Sequence, residues 1–119
     1  MIQKIWVLEK WCRTLKENQD NMNPQQIQKL VDSGEVVLID VREKDEWDAG
    51  HIEGAMHIPL GSLNAETVKD LSKDSKIYAY CRSGGRAGRA AQTLQNIGYK
   101  NAENMGGVIE WQENGGKLV

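Results

Sequence analysis

Cysteine is scarce in this chain, with two residues, Cys12 and Cys81, in 119. Two thiols make neither the disulfide framework of a small secreted domain nor the four ligands of a structural zinc site. Histidine is equally sparse, and His51 and His57 stand in no metal-type spacing with either cysteine, so no metal is expected. A run of about 18 apolar residues is also missing, which excludes a transmembrane helix. The opening stretch MIQKIWVLEKWCRTLKENQDN is broken by Lys4, Glu9, Lys10 and Arg13, so it lacks the apolar centre of a signal peptide and a cytoplasmic location is expected. A formal charge of −2 leaves no basic excess for general binding to nucleic acid or a membrane surface. No internal repeat is visible, and the length suits one domain with one core.

What the chain does have is concentrated between Ile77 and Ile97. IYAY reads as a buried strand, and Ala87, Ala90, Ala91, Leu94 and Ile97 recur at helical spacing. Between them lies CRSGGR. Gly84 and Gly85 permit a tight turn in which the amides of Ser83 to Ala87 point inward, forming a cradle for an anion. Cys81 would face the start of the following helix, where unpaired N–H groups favour negative charge, with Arg82 and Arg86 close by. A thiol so placed ionises below its free value of about 8.5, in a range of roughly 3.5–7.5. Most free cysteines are small buried residues, and Cys81 could simply close a core strand. Such a role needs neither two glycines nor two arginines in the next five positions.

The rest of the chain alternates strand and helix. Ile2, Ile5, Trp6, Leu8, Trp11, Cys12 and Leu15 share one face of an amphipathic N-terminal helix, whose mixed charges favour docking on the domain or self-association through residues 2–15 over lipid. Asn23 and Pro24 open a helix carrying Ile27, Leu30 and Val31 and closed by Gly34. VVLIDV, residues 36–41, has the unbroken apolar character of a strand covered on both faces. EKDEWDAG suits a short helix ending at Gly50, and a short strand is expected around Ala55 to Ile58, stopped by Pro59. Residues 61–72 predict a helix carrying Leu63, Val68 and Leu71. After Gly98, YKNAENM leads to an edge strand, and GGVIEWQENGG to a last turn of helix with Val108, Ile109 and Trp111. This order predicts an α/β domain, a small central parallel sheet with helices on both faces, with Cys81 and Asp40 at its carboxyl edge.

DVREKDEWDAGHIEGAMHIPL at 40–60, YCRSGGRA at 80–87 and GYKNAENMGGVIEW beyond them resemble a single-domain rhodanese in motif order and spacing. The resemblance covers residues 20 to 117, dividing the chain into an extension, 1–20, and a rhodanese domain, 21–119. It implies the rhodanese-like α/β fold and sulfurtransfer: thiosulfate or a related anionic donor loads Cys81 as a persulfide, which passes its sulfur to cyanide or a thiol, with a thioredoxin-like protein among the acceptors. By position, Cys81 is the sulfur carrier, and Arg82, Ser83, Gly84, Gly85, Arg86 and Ala87 form the substrate-binding loop, with Arg82 and Arg86 matching sites that help bind an anionic donor. Asp40 and Arg42 match the DVR element in a supporting, structural role; His51 is structural, and His57 has no assigned role. The chemistry implied needs no metal or organic cofactor.

Two other functions compete. Cysteine phosphatases also place a thiolate in an anion-binding loop ahead of a helix, but with five residues between cysteine and arginine; here Cys81 and Arg86 are separated by four. The shorter loop leaves little room for a tetrahedral phosphate. A binding or regulatory module is the other alternative, and such modules often lack the cysteine that this chain retains.

Overall fold

The computed structural model describes residues 23–119. The expected N-terminal helix, with its apolar stripe and Cys12, lies outside the described residues. Helix α1 spans Pro24–Asp32, and its start is set by Asn23, whose side-chain oxygen accepts the Gln26 N–H at 3.2 Å. Strand β1 is Val36–Asp40, helix α2 Lys44–Ala49 and strand β2 the two residues Met56–His57. Strand β3, Lys76–Cys81, runs through a short turn into helix α3, Gly85–Ile97. Strand β4, Ala102–Gly107, and helix α4, Val108–Glu113, complete the order.

The four strands among the described residues are parallel, in the order β2-β1-β3-β4. Alternation along the strands divides the core in two. Ile39, Val41, Ile77, Ala79 and Cys81 pack with Ala87, Ala90 and Leu94 of α3. Leu38 and Tyr80 pack on the other side with Val108 and Trp111 of α4 and with Ile27 and Val31 of α1. Helices thus cover both faces, as the unbroken apolar run of β1 predicts.

The 61–72 segment departs from expectation. A 3₁₀ turn at Leu60–Ser62 is followed by turns instead of a helix. Asn64 accepts the Glu66 and Thr67 amides through its side chain, while the Thr67 hydroxyl donates to Ser62 and Asn64 carbonyls, so local side-chain bonds compete with the helical ladder. Leu63 and Val68 are buried nonetheless. The Val68 and Leu71 carbonyls accept from the Tyr99 hydroxyl at 2.6 and 2.9 Å, which ties the segment to the core. On the last helix Val108 and Trp111 are buried and Ile109 is exposed.

Candidate active site

Cys81 is the last residue of β3, and its side chain points to the sheet face covered by α3. The turn that follows is made possible by Gly84, whose φ of 109° lies in the left-handed region that favours glycine. Gly85 differs from expectation: it opens α3 without a positive φ, and nothing stands within 4 Å of where a Cβ would project. A third glycine, which the sequence did not single out, completes the geometry. A Cβ on Gly107 would stand 2.0 Å from the Arg82 carbonyl oxygen, so only glycine lets β4 pass directly beneath the loop. Asn104 adds a bond from Nδ2 to the Gly84 carbonyl at 3.0 Å and accepts the Gly106 N–H at 2.8 Å. The NMGGV run, residues 104–108, contains both Asn104 and Gly107.

The Gly84 N–H donates to Cys81 Sγ at 3.0 Å. Burial pushes the thiol pKa up, but the amides of Ala87, Gly84, Ser83 and Arg86 outweigh it, and the net shift is downward. The thiolate is therefore favoured by backbone amides. Cys81 is only 1% exposed, whereas Arg82, Ser83 and Gly85 are open to solvent. The sulfur is thus buried while the loop residues that follow it are exposed.

Arg86, which the resemblance matches to a donor-binding position, is engaged by a carboxylate. Its Nη1 and Nη2 donate to Glu46 Oε1 and Oε2 at 2.8 and 3.0 Å, a bidentate pair joining α3 to α2. The pair holds the Glu46 carboxyl down at about 2 and raises the Arg86 guanidinium, each through the hydrogen bonds to its partner. Glu46 also accepts the Glu43 N–H at 3.1 Å, so the carboxylate is anchored to the start of its own helix. Arg82, by contrast, is exposed at the rim.

Asp40 and Arg42 are brought to the carboxyl edge but not into the cradle. Asp40 pairs with Tyr80 in the sheet and shares the face opposite Cys81. Arg42 donates through Nη2 to Asp40 Oδ2 at 2.7 Å and to the Gly50 carbonyl at 2.7 Å, and through Nε to both Asp40 oxygens. Both residues are buried, so removing either partner would strand a charge at a cost of about 3–5 kcal/mol. This ion pair fixes the loop between β1 and α2, and therefore the ground from which Glu46 reaches Arg86. Burial raises the Tyr80 phenol, which accepts the Ile52 N–H at 3.0 Å.

His57, without a role in the sequence, also has a partner. Its Nε2 lies 2.9 Å from the Arg42 carbonyl, which can only accept, so that nitrogen carries the proton. His51 Nδ1 donates to the Trp47 carbonyl at 3.1 Å in the same way. Both imidazoles stack on the Trp47 indole, with ring centroids at 3.6 and 4.8 Å. The histidines thus brace α2 against β2.

Residues 23–114 match the rhodanese-like domain family, and the chain belongs to it. Among curated relatives, the uncharacterized protein YqhL of Bacillus subtilis is 44% identical over 82 residues, 68% of this chain and 62% of YqhL. A sulfurtransferase of Allochromatium vinosum is 33% identical over 93 residues, 77% of this chain and 86% of that protein. The probable adenylyltransferase/sulfurtransferase MoeZ of Mycobacterium tuberculosis is 34% identical over 93 residues, 76% of this chain but 24% of MoeZ. The chain thus spans less than two thirds of YqhL and about a quarter of MoeZ. Among solved structures, the Rhodanese_3 like domain of the Anabaena Alr3790 protein superposes with a TM-score of 0.66 at 28% identity, covering 71% of this chain and 98% of that one. A rhodanese with anions from E. coli gives 0.59 at 30% identity, over 63% and 89% of the two chains.

Proposed function

We propose that this domain is a sulfurtransferase that carries sulfane sulfur on Cys81. The observation that carries the reading is the Cys81 sulfur at the start of α3, with the Gly84 N–H donating to Sγ at 3.0 Å. A family relative named as a sulfurtransferase, matched over 86% of its length, supports it. In the first displacement the Cys81 thiolate attacks the outer sulfur of thiosulfate; the new S–S bond forms as the old one breaks, and sulfite leaves with the electron pair. Cys81 then carries a persulfide anion. The amides that favour the thiolate are placed to hold the charge of this terminal sulfur.

In the second displacement cyanide or a thiolate attacks that terminal sulfur, forming thiocyanate or a new persulfide and returning the Cys81 thiolate. Both steps are two-electron displacements at sulfur, one bond forming as an S–S bond breaks, and balance without an external oxidant or reductant, so no cofactor is needed. Asp40 and Arg42 support the site as structure, and Arg82, exposed on the loop, is the cation that meets an anionic donor in this reading. A low thiol pKa serves both displacements, since Cys81 is nucleophile in the first and leaving group in the second.

Steady-state assay of thiosulfate and cyanide tests the proposal. Expected are ping-pong kinetics, turnover abolished by Cys81→Ser and retained by Cys12→Ser, and little hydrolysis of an aryl phosphate. Brisk phosphate release dependent on Cys81 would move the assignment to a phosphatase. A folded protein without turnover on thiosulfate, mercaptopyruvate or glutathione persulfide would move it to a binding module.

A further inference from the structure

The Arg86–Glu46 pair poses a question that the cradle alone does not. A guanidinium beside a reactive sulfur is an obvious anchor for an anionic donor, yet both of its terminal nitrogens are used by one carboxylate. Glu46 stands 40 positions away in sequence, on a helix that contributes no group to the sulfur. That helix is itself held in place: Glu46 accepts the Glu43 amide, Trp47 stacks on two fixed histidines, and the buried Asp40–Arg42 pair precedes it. The backbone amides of Arg86 and of Ala87 next to it are two of the four that favour the Cys81 thiolate.

From this geometry we infer that Glu46 is a positioning residue of the sulfur site: by clamping Arg86 to α2 it holds the first turn of α3, which directly follows the Gly84 amide bonded to Sγ, in place beside the sulfur, and it takes the Arg86 guanidinium out of donor binding. This rests on the sulfur-carrier reading of Cys81 and deepens it. The cradle then holds the transferred sulfur by neutral amides, with Arg86 serving through its backbone more than its charge. The charged groups acting on the clamp are Arg42 and Glu43, and Arg86 also feels the Cys81 thiolate.

The test uses the full chain with Cys12→Ser, so that Cys81 is the sole thiol, and compares Glu46→Gln, Arg86→Gln and the double variant. Two readouts are taken: the pH dependence of Cys81 alkylation by iodoacetamide, an uncharged reagent, and kcat/KM for thiosulfate. The first needs no sulfur transfer, so it separates failure of the clamp from failure of the proposed reaction. If Glu46 positions the amides, each single variant raises the alkylation midpoint by about one pH unit, since misaimed donors stabilise the thiolate less. Each also lowers kcat/KM on the order of 10- to 100-fold, and the double variant is no worse than the poorer single one.

The opposite pattern overturns the inference: Glu46→Gln raises kcat/KM for thiosulfate, as a freed Arg86 would, with the alkylation midpoint unmoved. Additive losses in the double variant overturn it as well. Should Glu46→Gln not fold, Arg86→Lys decides, because lysine keeps the charge but loses the bidentate grip. A raised midpoint supports the clamp, and an unchanged one refutes it.

Discussion

At the loop, three glycines that look alike in the sequence have different physical standing. Gly84 occupies a left-handed conformation in which a Cβ meets its own backbone, and Gly107 passes so close to the Arg82 carbonyl that no side chain fits. Gly85 is an ordinary first residue of a helix with open space around it. Gly84→Ala should therefore lower stability by about 1–2 kcal/mol, whereas Gly85→Ala should leave it unchanged or raised by up to about 1 kcal/mol. Urea unfolding of the two variants measures the contrast, and equal losses would mean that the turn is not built as described. Cys81 was legible because its neighbours in sequence are its neighbours in space. Glu46 was not, since the carboxylate that neutralises Arg86 sits 40 residues away and nothing in either local pattern marks the pair.

On the scale of elements, the short helix α2 matters through what it connects. It is only Lys44–Ala49, too short to be stable alone, and is fixed by Glu46 to α3 and by Trp47 to the two histidines. Because the Glu46 pKa is depressed on folding to about 2, its pair with Arg86 stabilises the fold fully above the unfolded carboxyl value of about 4.3 and is lost as pH falls toward 2. The unfolding free-energy difference between the native chain and Glu46→Gln should accordingly be flat above about pH 5 and shrink below it. A difference independent of pH down to 2 would show that the carboxylate charge does not contribute. Helix starts and stops were readable at α1 and α3 from Asn23, Pro24 and Gly98. Residues 61–72 depart from the helix that their apolar spacing predicts because Asn64 and Thr67 satisfy the backbone in turns; Leu63 and Val68 are buried either way.

In the molecule as a whole, parallel strands bring their carboxyl ends to one edge, and that is where residues from distant sequence meet. Cys81 ends β3, Arg42 follows β1 and His57 ends β2, so the sulfur cradle, the buried ion pair and the histidine brace share one side of the sheet. The class of fold was legible from alternation of strand and helix. What alternation could not tell was which face each residue takes, and this separates Cys81, against α3, from Asp40, which lies across the sheet with Tyr80.

The central claim is that the Cys81 sulfur, though almost wholly buried, is held toward its thiolate by backbone amides and reacts with a sulfane-sulfur donor. Incubation of the full chain with thiosulfate in the absence of cyanide, followed by intact-mass and peptide mass spectrometry, tests it directly. The account predicts the mass of one added sulfur atom on the peptide containing Cys81, none on Cys12, and its removal by cyanide. A folded protein whose Cys81 gains no sulfur from thiosulfate and resists alkylation at pH 7 would contradict it.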